Sequence, residues 1–389
     1  MVAAVTAALV LAVATPAFAS PGDLDPSFGT GGKVTTSLSR GGSTANAAVV
    51  QPDGRIVIGG WAYGKGFALV RYLRDGDLDP SFGDQGVVTT NFPQGPAVIT
   101  DLALEHGGGI VAAGLVEGFL AIARYRHDGS LDRSFGDHGL VTARYKNSQT
   151  EAEGIAVEPG GGIVVAGSAN TTLWVAARFS ASGHQDLRFG HHGWGTVNFG
   201  RGEEVTRDVA LTPNGRIVLA GTGRDTFGLA RLTRRGDLDP KFGANGRETI
   251  RLGERGSAAA LALLDDGDIL AAGQSGNHFE LTRSLPSGRI DRSFGRRGRA
   301  SGPAVVGAAD DLAVAGDGSA VLAGSAYQDF TITRYRPDGA LDTTFGKAGV
   351  VHTKFPNYGG ANGVALMPDG RIIVAGTTGL RIGVARYRA

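Results

Sequence analysis

RYLRDGDLDPSFGDQG, residues 71–86, is one copy of a motif that recurs seven times along the 389-residue chain. Each copy carries Phe-Gly, and successive phenylalanines lie 51 to 54 residues apart. Such a period, built from short apolar runs and glycine turns, is typical of a radial array of small β-sheets. The motif phenylalanines are Phe28, Phe82, Phe135, Phe189, Phe242, Phe294 and Phe345. The sequence therefore predicts an all-β, seven-bladed β-propeller.

A second recurring block, clearest as PDGRIVIGG at residues 52–60, places a glycine turn before a β-branched run. Apolar runs on both sides of such a turn predict a hairpin. With the first motif, each copy then supplies four antiparallel strands, named a to d in chain order, with strand a innermost. In the second copy we expect them over residues 99–105, 110–115, 119–126 and 140–144.

The two ends of the chain carry complementary parts of one blade. Residues 384–389, VARYRA, form a strand c without its following turn, and residues 22–29, GDLDPSFG, supply that turn before KVTT at 33–36. We therefore expect the N-terminal strand to complete the last blade, which leaves no open sheet edge. In the alternative register, the apolar run that contains Val34 forms an innermost strand, and residues 23–29 precede it without belonging to a blade.

The N-terminus has the pattern of an export signal. Residues 2–14 are almost wholly apolar and AFA follows at 17–19, although no basic residue precedes Lys33. An apolar core before such a small-residue site is typical of a secretory signal peptide and is short for a bilayer span. We predict a signal peptide over 1–19, one propeller domain over 20–389, and a secreted location, extracellular or at a bacterial cell surface. The alternative is a disordered apolar N-terminus.

Composition narrows the classes of partner. The chain has 38 basic and 37 acidic residues, so we expect no nucleic-acid partner. It has no cysteine, which excludes disulfides, thiolate metal sites and a cysteine nucleophile. We also expect no membrane span and a monomer.

The motif Arg-Tyr-x-x-Asp-Gly-x-Leu-Asp-x-x-Phe-Gly-x-x-Gly, seen at residues 71–86 and 334–349, resembles the delta-60 repeat family of bacterial β-propellers. The resemblance covers essentially the whole chain after residue 20. It is weakest where QDLR at 185–188 replaces the usual Leu-Asp pattern, although Asp186 keeps its place. The family implies a propeller at the cell surface or outside the cell. It implies no established reaction and transfers no catalytic residue to this chain.

The repeat also indicates where function lies. In a propeller the a–b and c–d turns share one face, and the b–c and d–a loops share the other. Here the a–b and c–d turns recur from copy to copy, whereas the other loops differ. Because individual function is carried by variable loops on a rigid scaffold, we expect it on the face of the b–c and d–a loops, named here the variable face.

The first candidate site is the mouth of the central channel. Counting back from each a–b turn places five carboxylates at one level of the ring: Asp101, Glu153, Asp208, Asp310 and Asp311. Clustered carboxylates are ligands for hard cations, so Ca²⁺ is the cofactor that this set would suit. In the alternative interpretation, each Asp binds the backbone of its own blade or pairs with Arg207.

The second candidate site is the set of aromatic residues in the variable loops. They are Trp61, Tyr63, Trp174, Tyr327 and Tyr358, and such residues suit a carbohydrate, peptide or protein ligand. The alternative is ordinary solvated loop residues, with Trp174 partly in the core. A weaker hypothesis places Zn²⁺ between His138 and His192, which occupy equivalent positions in adjacent copies, although exposed loop histidines explain them as well.

These observations predict a ligand-binding or protein-interaction scaffold rather than an enzyme. The sequence contains no Gly-x-Ser-x-Gly elbow, no P-loop and no His-Glu-x-x-His, so no catalytic residue is assigned. The alternative function is a Ca²⁺-dependent hydrolase or lactonase that uses the carboxylates at the channel mouth. A third interpretation, a structural protein of the cell wall, has no anchor segment to support it.

Overall fold

The computed structural model describes residues 20–200, 202, 204–304 and 307–389, and the signal peptide expected over 1–19 lies outside them. The described chain forms seven four-stranded antiparallel sheets, and each innermost strand packs against those of the neighbouring sheets. It is a seven-bladed β-propeller. None of its described segments is a helix long and apolar enough to cross a membrane.

Each blade follows the predicted order of strands a, b, c and d. Blades 1 and 2 comprise β2 Ser43–Val50, β3 Ile56–Ala62, β4 Gly66–Tyr72, β5 Val87–Thr90, β6 Ala97–Leu104, β7 Ile110–Val116, β8 Phe119–Tyr125 and β9 Leu140–Ala143. Blades 3 and 4 comprise β10 Thr150–Val157, β11 Ile163–Ala169, β12 Leu173–Phe179, β13 Trp194–Val197, β14 Glu204–Leu211, β15 Ile217–Gly223, β16 Thr226–Leu232 and β17 Arg247–Ile250. Blades 5 and 6 comprise β18 Gly256–Leu263, β19 Ile269–Ser275, β20 His278–Ser284, β21 Arg299–Ala304, β22 Gly307–Val314, β23 Ala320–Ala326, β24 Asp329–Tyr335 and β25 Val350–Thr353.

Blade 7 joins the two ends of the chain. It comprises β26 Gly359–Leu366, β27 Ile372–Thr378, β28 Arg381–Tyr387 and, as its outer strand, β1 Lys33–Thr36. Strands β1 and β28 are antiparallel, with Lys33 opposite Ala385 and Thr36 opposite Ile382. The prediction that the N-terminal strand closes the ring is confirmed, and the alternative register is wrong.

The recurring motif links each blade to the next. In blade 1 the guanidinium of Arg71 lies over the ring of Phe82, 4.4 Å from its centroid, and its Nε donates to Asp79 at 2.8 Å. The same guanidinium donates to the carbonyl of His127 in blade 2. All seven motif phenylalanines are buried beneath an arginine in this way. Because one cation contacts an aromatic ring, a carboxylate and the neighbouring blade, the motif acts as an inter-blade clamp.

One extra residue in each innermost strand shapes the channel. The register between strands a and b shifts once in every blade, which is the signature of a β-bulge. The extra residues are Asn46, Thr100, Glu153, Arg207, Ala259, Asp310 and Asn362. All of them line the central cavity, so the bulge aims one side chain per blade at the axis.

Candidate functional site

The central channel holds a cavity of about 490 Å³ that is lined by the innermost strands. All five carboxylates predicted from the sequence contribute to its wall. Glu153 and Asp310 come from the bulges, and the other three follow a bulge directly. Counting from the turn glycine therefore located this ring of side chains correctly.

Three of the carboxylates join neighbouring blades. Each accepts one backbone N–H from its own strand and one from the next blade, at 2.6 to 2.9 Å. The bonds run from Leu102 and Ile155 to Asp101, from Val209 and Leu261 to Asp208, and from Leu312 and Val364 to Asp311. These aspartates thus cap backbone amides; the alternative interpretation placed their partners in their own blade, and the structure adds one partner from the next blade to each.

The channel surroundings raise the pKa of every one of these carboxyls. Burial raises the pKa of Asp101 to about 6 and that of Asp311 to about 7. Burial, followed by repulsion from Asp101, raises the pKa of Asp208 well above its ordinary value. Backbone amides lower these pKa values but carry no full charge, so they offset only part of the desolvation.

Glu153 and Asp310 are placed differently, because no backbone N–H is among their described contacts. Burial raises the pKa of Glu153 to about 7, although Arg207 Nη1 lies 3.3 Å from its Oε1. Burial likewise raises the pKa of Asp310 to about 6, and the charge of Arg207 opposes the shift. Any cation in the channel would have to use these two carboxylates first.

The described residues contain no group of three or more His, Asp or Glu side chains placed to hold a metal ion. The side chains of His138 and His192 are exposed, and Nε2 of His138 lies 3.7 Å from Oδ1 of the adjacent Asp137. Both have positive φ, 52° and 53°, at the third residue after the motif phenylalanine. That position is left-handed in every blade, so the recurrence of histidine follows a recurring turn.

A groove on the variable face adjoins the channel. It has a volume of about 520 Å³ and is lined by loops of blades 5, 6 and 7. Two of the predicted aromatic residues, Tyr327 and Tyr358, line it and are 62% and 80% exposed. Gln274 and Ala308 belong to the walls of both the groove and the channel cavity, so the two spaces lie side by side. We name this space the tyrosine groove.

The remaining wall of the tyrosine groove is uncharged and combines small apolar residues with five polar side chains. Its hydrogen-bonding side chains are Gln274, Asn277, Ser325, Gln328 and Thr377. None of the described residues that line it is charged. The groove therefore offers two aromatic rings together with neutral amides and hydroxyls.

Tyr327 is displayed on a strained turn. It forms the two-residue connection between β23 and β24 together with Gln328, and their φ values are 53° and 65°. Turns of this kind favour Asn-Gly, because residues with a Cβ are costly in the left-handed region. The equivalent connection of blade 4, Arg224-Asp225, also has non-glycine residues in both positions, with φ values of 56° and 59°, so this geometry recurs in the fold.

The prediction for Trp174 is wrong. Its side chain is fully buried, its Nε1 donates to the carbonyl of Thr222 at 3.1 Å, and its ring packs edge-on against Phe199. Trp174 is the second residue of a strand c, and that position is buried and apolar in every blade. Aligning the copies on strand c would have assigned it to the core.

Trp61 and Tyr63 lie in blade 1, outside the tyrosine groove. Tyr63 is 61% exposed, and the half-buried Trp61 supports it edge-on at 5.9 Å between ring centroids. Tyr327 and Tyr358 therefore line one groove, whereas Trp61 and Tyr63 lie outside it in blade 1.

Four segments of the chain match one family model. It is described as a β-propeller domain of unknown function, DUF5122, and the segments are residues 51–82, 212–242, 315–345 and 368–389. The first three end on a motif phenylalanine, so the similarity rests on the recurring motif. The chain is thus similar to a repeat β-propeller family. Among curated proteins, none matches it.

Solved structures show the same fold at low identity. A catalytically inactive variant of virginiamycin B lyase from Staphylococcus aureus, with quinupristin, is 13% identical with a TM-score of 0.60, over 90% of this chain and 98% of that one. The WD40 propeller domain of Doa1 is 12% identical with a TM-score of 0.56, over 90% and 94%. The extracellular domain of a protein described as a one-component system from B. thetaiotaomicron is 14% identical with a TM-score of 0.50, over 92% and 40%. At such identities the likeness shows the fold alone.

Proposed function

We propose that this protein is a carbohydrate-binding propeller that takes its ligand in the tyrosine groove. The observation that carries the proposal is the pairing of two exposed tyrosines with neutral amides and hydroxyls in one groove of about 520 Å³. Binding sites typically combine such aromatic surface with a few polar groups that fix orientation. The groove is the place on the variable face where both are found together.

The chemistry of the groove fits a sugar ring. A pyranose has an apolar face of C–H groups and a rim of hydroxyls, so an aromatic ring can take the face while amides bind the rim. Tyr327 and Tyr358 would supply the rings, and Gln274, Asn277 and Gln328 would supply the amides. A peptide or protein, the other ligands considered from the sequence, could also bind these amides through backbone N–H and C=O groups, so the choice of a sugar rests on the two exposed rings beside them.

We place this function outside the cell. The support is the apolar N-terminal stretch with its AFA site at 17–19, and the absence of cysteine is compatible with any redox compartment. One solved structure of the same fold is an extracellular domain, which supports the same location by analogy only.

The test is binding of defined oligosaccharides to the full chain. Cellohexaose, chitohexaose, laminarihexaose and maltohexaose would be titrated by calorimetry against the native protein, Tyr327→Ala and Tyr358→Ala. Each substitution is expected to weaken binding about tenfold or more, because it removes a stacking face. Leu187→Ala, at a side chain 69% exposed on the opposite face, is the matched control. If none of the four sugars binds, or if the control loses as much affinity, the proposal is wrong.

One specific observation favours the alternative function, that of an enzyme. Glu153 and Asp310, with pKa values raised to about 7 and about 6, lie in the channel cavity, which shares Gln274 and Ala308 with the wall of the tyrosine groove. Raised carboxyl pKa values are a property of general acids, and a Ca²⁺-dependent hydrolase or lactonase would use them. Melting the chain after EDTA treatment and again with added Ca²⁺ tests this. A Ca²⁺-dependent rise in melting temperature that disappears in Glu153→Gln would favour the enzyme.

A further inference from the structure

Exposed apolar side chains on the variable face are confined to one arc of the ring. Among the described residues, the large and exposed ones on this face are Tyr63, Tyr327, Tyr358 and Leu380, which belong to blades 1, 6 and 7. The others, Leu78, Leu187 and Leu285, lie in c–d turns of blades 1, 3 and 5 on the opposite face. A cluster across three consecutive blades is more than the scattered exposure that any surface shows.

Backbone hydrogen bonds join the loops of this arc into a continuous rim. Gly359 donates to Gln328 at 2.9 Å, and Gly379 donates to Tyr358 at 2.8 Å. Ser43 then donates to Leu380 at 3.0 Å, and Tyr63 donates to Gly42 at 3.0 Å. The rim therefore runs without a break from the tyrosine groove to Tyr63.

At the end of the rim farthest from the tyrosine groove, Gly41 and Gly42 leave room for the side chains of Tyr63 and Leu380. A Cβ on Gly41 would overlap the ring of Tyr63, and a Cβ on Gly42 would lie 3.2 Å from Leu380. Both side chains consequently lie close against the d–a loop of blade 1. They form a second apolar surface beside the tyrosine groove.

Between the tyrosine groove and blade 1, the exposed charges of this rim have a single sign. Four loops form it between the tyrosine groove and blade 1: residues 354–358, 379–380, 37–42 and 63–65. These loops and the first residue of β28 contain the exposed side chains of Lys354, Arg381, Arg40 and Lys65 and contain no Asp or Glu. Within the described residues none of the four basic side chains forms an ion pair. They are therefore available to a ligand with negative charge.

We propose that the ligand is an acidic polysaccharide, a chain of sugars that bear carboxylates, which lies along this rim. The proposal rests on the function proposed above and names its class of ligand. One part of the chain stacks on Tyr327 and Tyr358, and the next part contacts Leu380 and Tyr63 while its carboxylates meet the basic side chains.

The test compares charged and neutral sugars on the full chain. The probes are decagalacturonate, trigalacturonate and the neutral hexaoses named above. We expect decagalacturonate to bind more tightly than trigalacturonate, because only the longer chain reaches both surfaces. The triple variant Arg40→Ala, Lys65→Ala, Arg381→Ala should lose about tenfold or more in affinity for decagalacturonate and respond less to added salt. Its affinity for a neutral hexaose should not change.

The control removes the same charge from the other face. It is the triple variant Arg188→Ala, Lys241→Ala, Arg296→Ala, three exposed residues in or beside c–d turns. If both triple variants lose the same affinity for decagalacturonate, the inference is wrong. It is also wrong if polyglutamate binds as tightly as decagalacturonate through the same residues, because the protein would then recognise negative charge alone. If neutral sugars bind through Tyr327 and galacturonates bind no better, the inference fails and the proposed function stands. If galacturonates bind and Tyr327→Ala has no effect, the proposed function fails.

Discussion

The aspartates of the recurring turns and the aspartates of the channel have the same side chain and opposite pKa shifts. A hydrogen bond from Ser134, with Arg124 beside it, lowers the pKa of Asp132 to about 2 despite partial burial. Burial raises the pKa of Asp311 to about 7, although two backbone amides bind its carboxylate. The channel carboxyls lose more hydration than the turn carboxyls, and two backbone amides return only part of that cost, whereas a hydroxyl and Arg124 exceed the smaller cost at Asp132.

The two sets therefore give stability at different pH. A turn carboxyl with a lowered pKa stabilises the folded state above its unfolded pKa of 3.8, and this contribution is lost as pH falls toward 2. A channel carboxyl with a raised pKa holds its proton in the folded state after the unfolded chain has released its own. Stability from the channel accordingly falls as pH rises from about 4 to about 7.

The largest expected effect comes from breaking one clamp. Among the described residues, Arg71→Ala would leave Asp79 with Arg55 as its one remaining cation and would remove the contact with Phe82 and the bond to blade 2, so it should reduce the free energy of unfolding by about 3 kcal/mol. Urea unfolding at pH 7 measures the change. Arg336→Ala, at an exposed arginine of a c–d turn, should shift it by less than about 0.5 kcal/mol. A loss of similar size in both variants would show that the buried pair has no special role.

The distinction between turn and channel aspartates can be tested with one substitution in each set, by measuring stability at two pH values. Asp310→Asn should nearly match the native protein at pH 3.5, where the carboxyl is largely protonated in the folded and the unfolded state, and exceed its stability at pH 8 by about 1 kcal/mol, because solvent in the channel screens the charge. Asp132→Asn, in a turn, should be less stable than the native protein at both pH values. Thermal unfolding of the three proteins gives the answer. Equal behaviour of the two variants would remove the distinction between the sets.

The smallest expected effect concerns the backbone of the recurring turn. Ala348 has a φ of 53° at the left-handed position that Gly31 occupies in the first copy. Ala348→Gly should therefore stabilise the protein by about 0.5–1 kcal/mol, measured by urea unfolding. Gln51→Gly, at a buried residue before an a–b turn whose side chain donates to the carbonyl of Gly108 at 3.1 Å, should instead destabilise it. Destabilisation by Ala348→Gly would mean that the Cβ contributes packing that outweighs its strain.

The sequence predicted the fold because the motif that sets the period also forms the clamp. Strand bounds in the second blade differ from the expected ones by two residues at most. The channel ring was also predictable, since its distance from each turn glycine is nearly constant. By contrast, the partners of Asp101 were not predictable, because Ile155 lies in another blade.

The grouping of loop residues depends on which blades are neighbours and on how each turn is shaped. Tyr327 and Tyr358 share a groove because blades 6 and 7 are adjacent, and the same argument would have grouped Tyr63 with Leu380. Trp174 was misassigned because an aromatic residue near a loop has two interpretations that composition does not separate. Its equivalence to Phe67 and Phe227 in strand c carries the missing information.

Pairing of Lys33 with Ala385 also sets the order of events in folding. Strand β1 leaves the ribosome first and β28 leaves last, so blade 7 cannot assemble until synthesis has reached Tyr387. Contacts between such distant segments form slowly, because most of the chain must be ordered or looped out before they meet. Until then β1 is an unpaired strand with open hydrogen-bonding edges, and the nascent chain depends on a holding partner or on speed to avoid pairing with its neighbours.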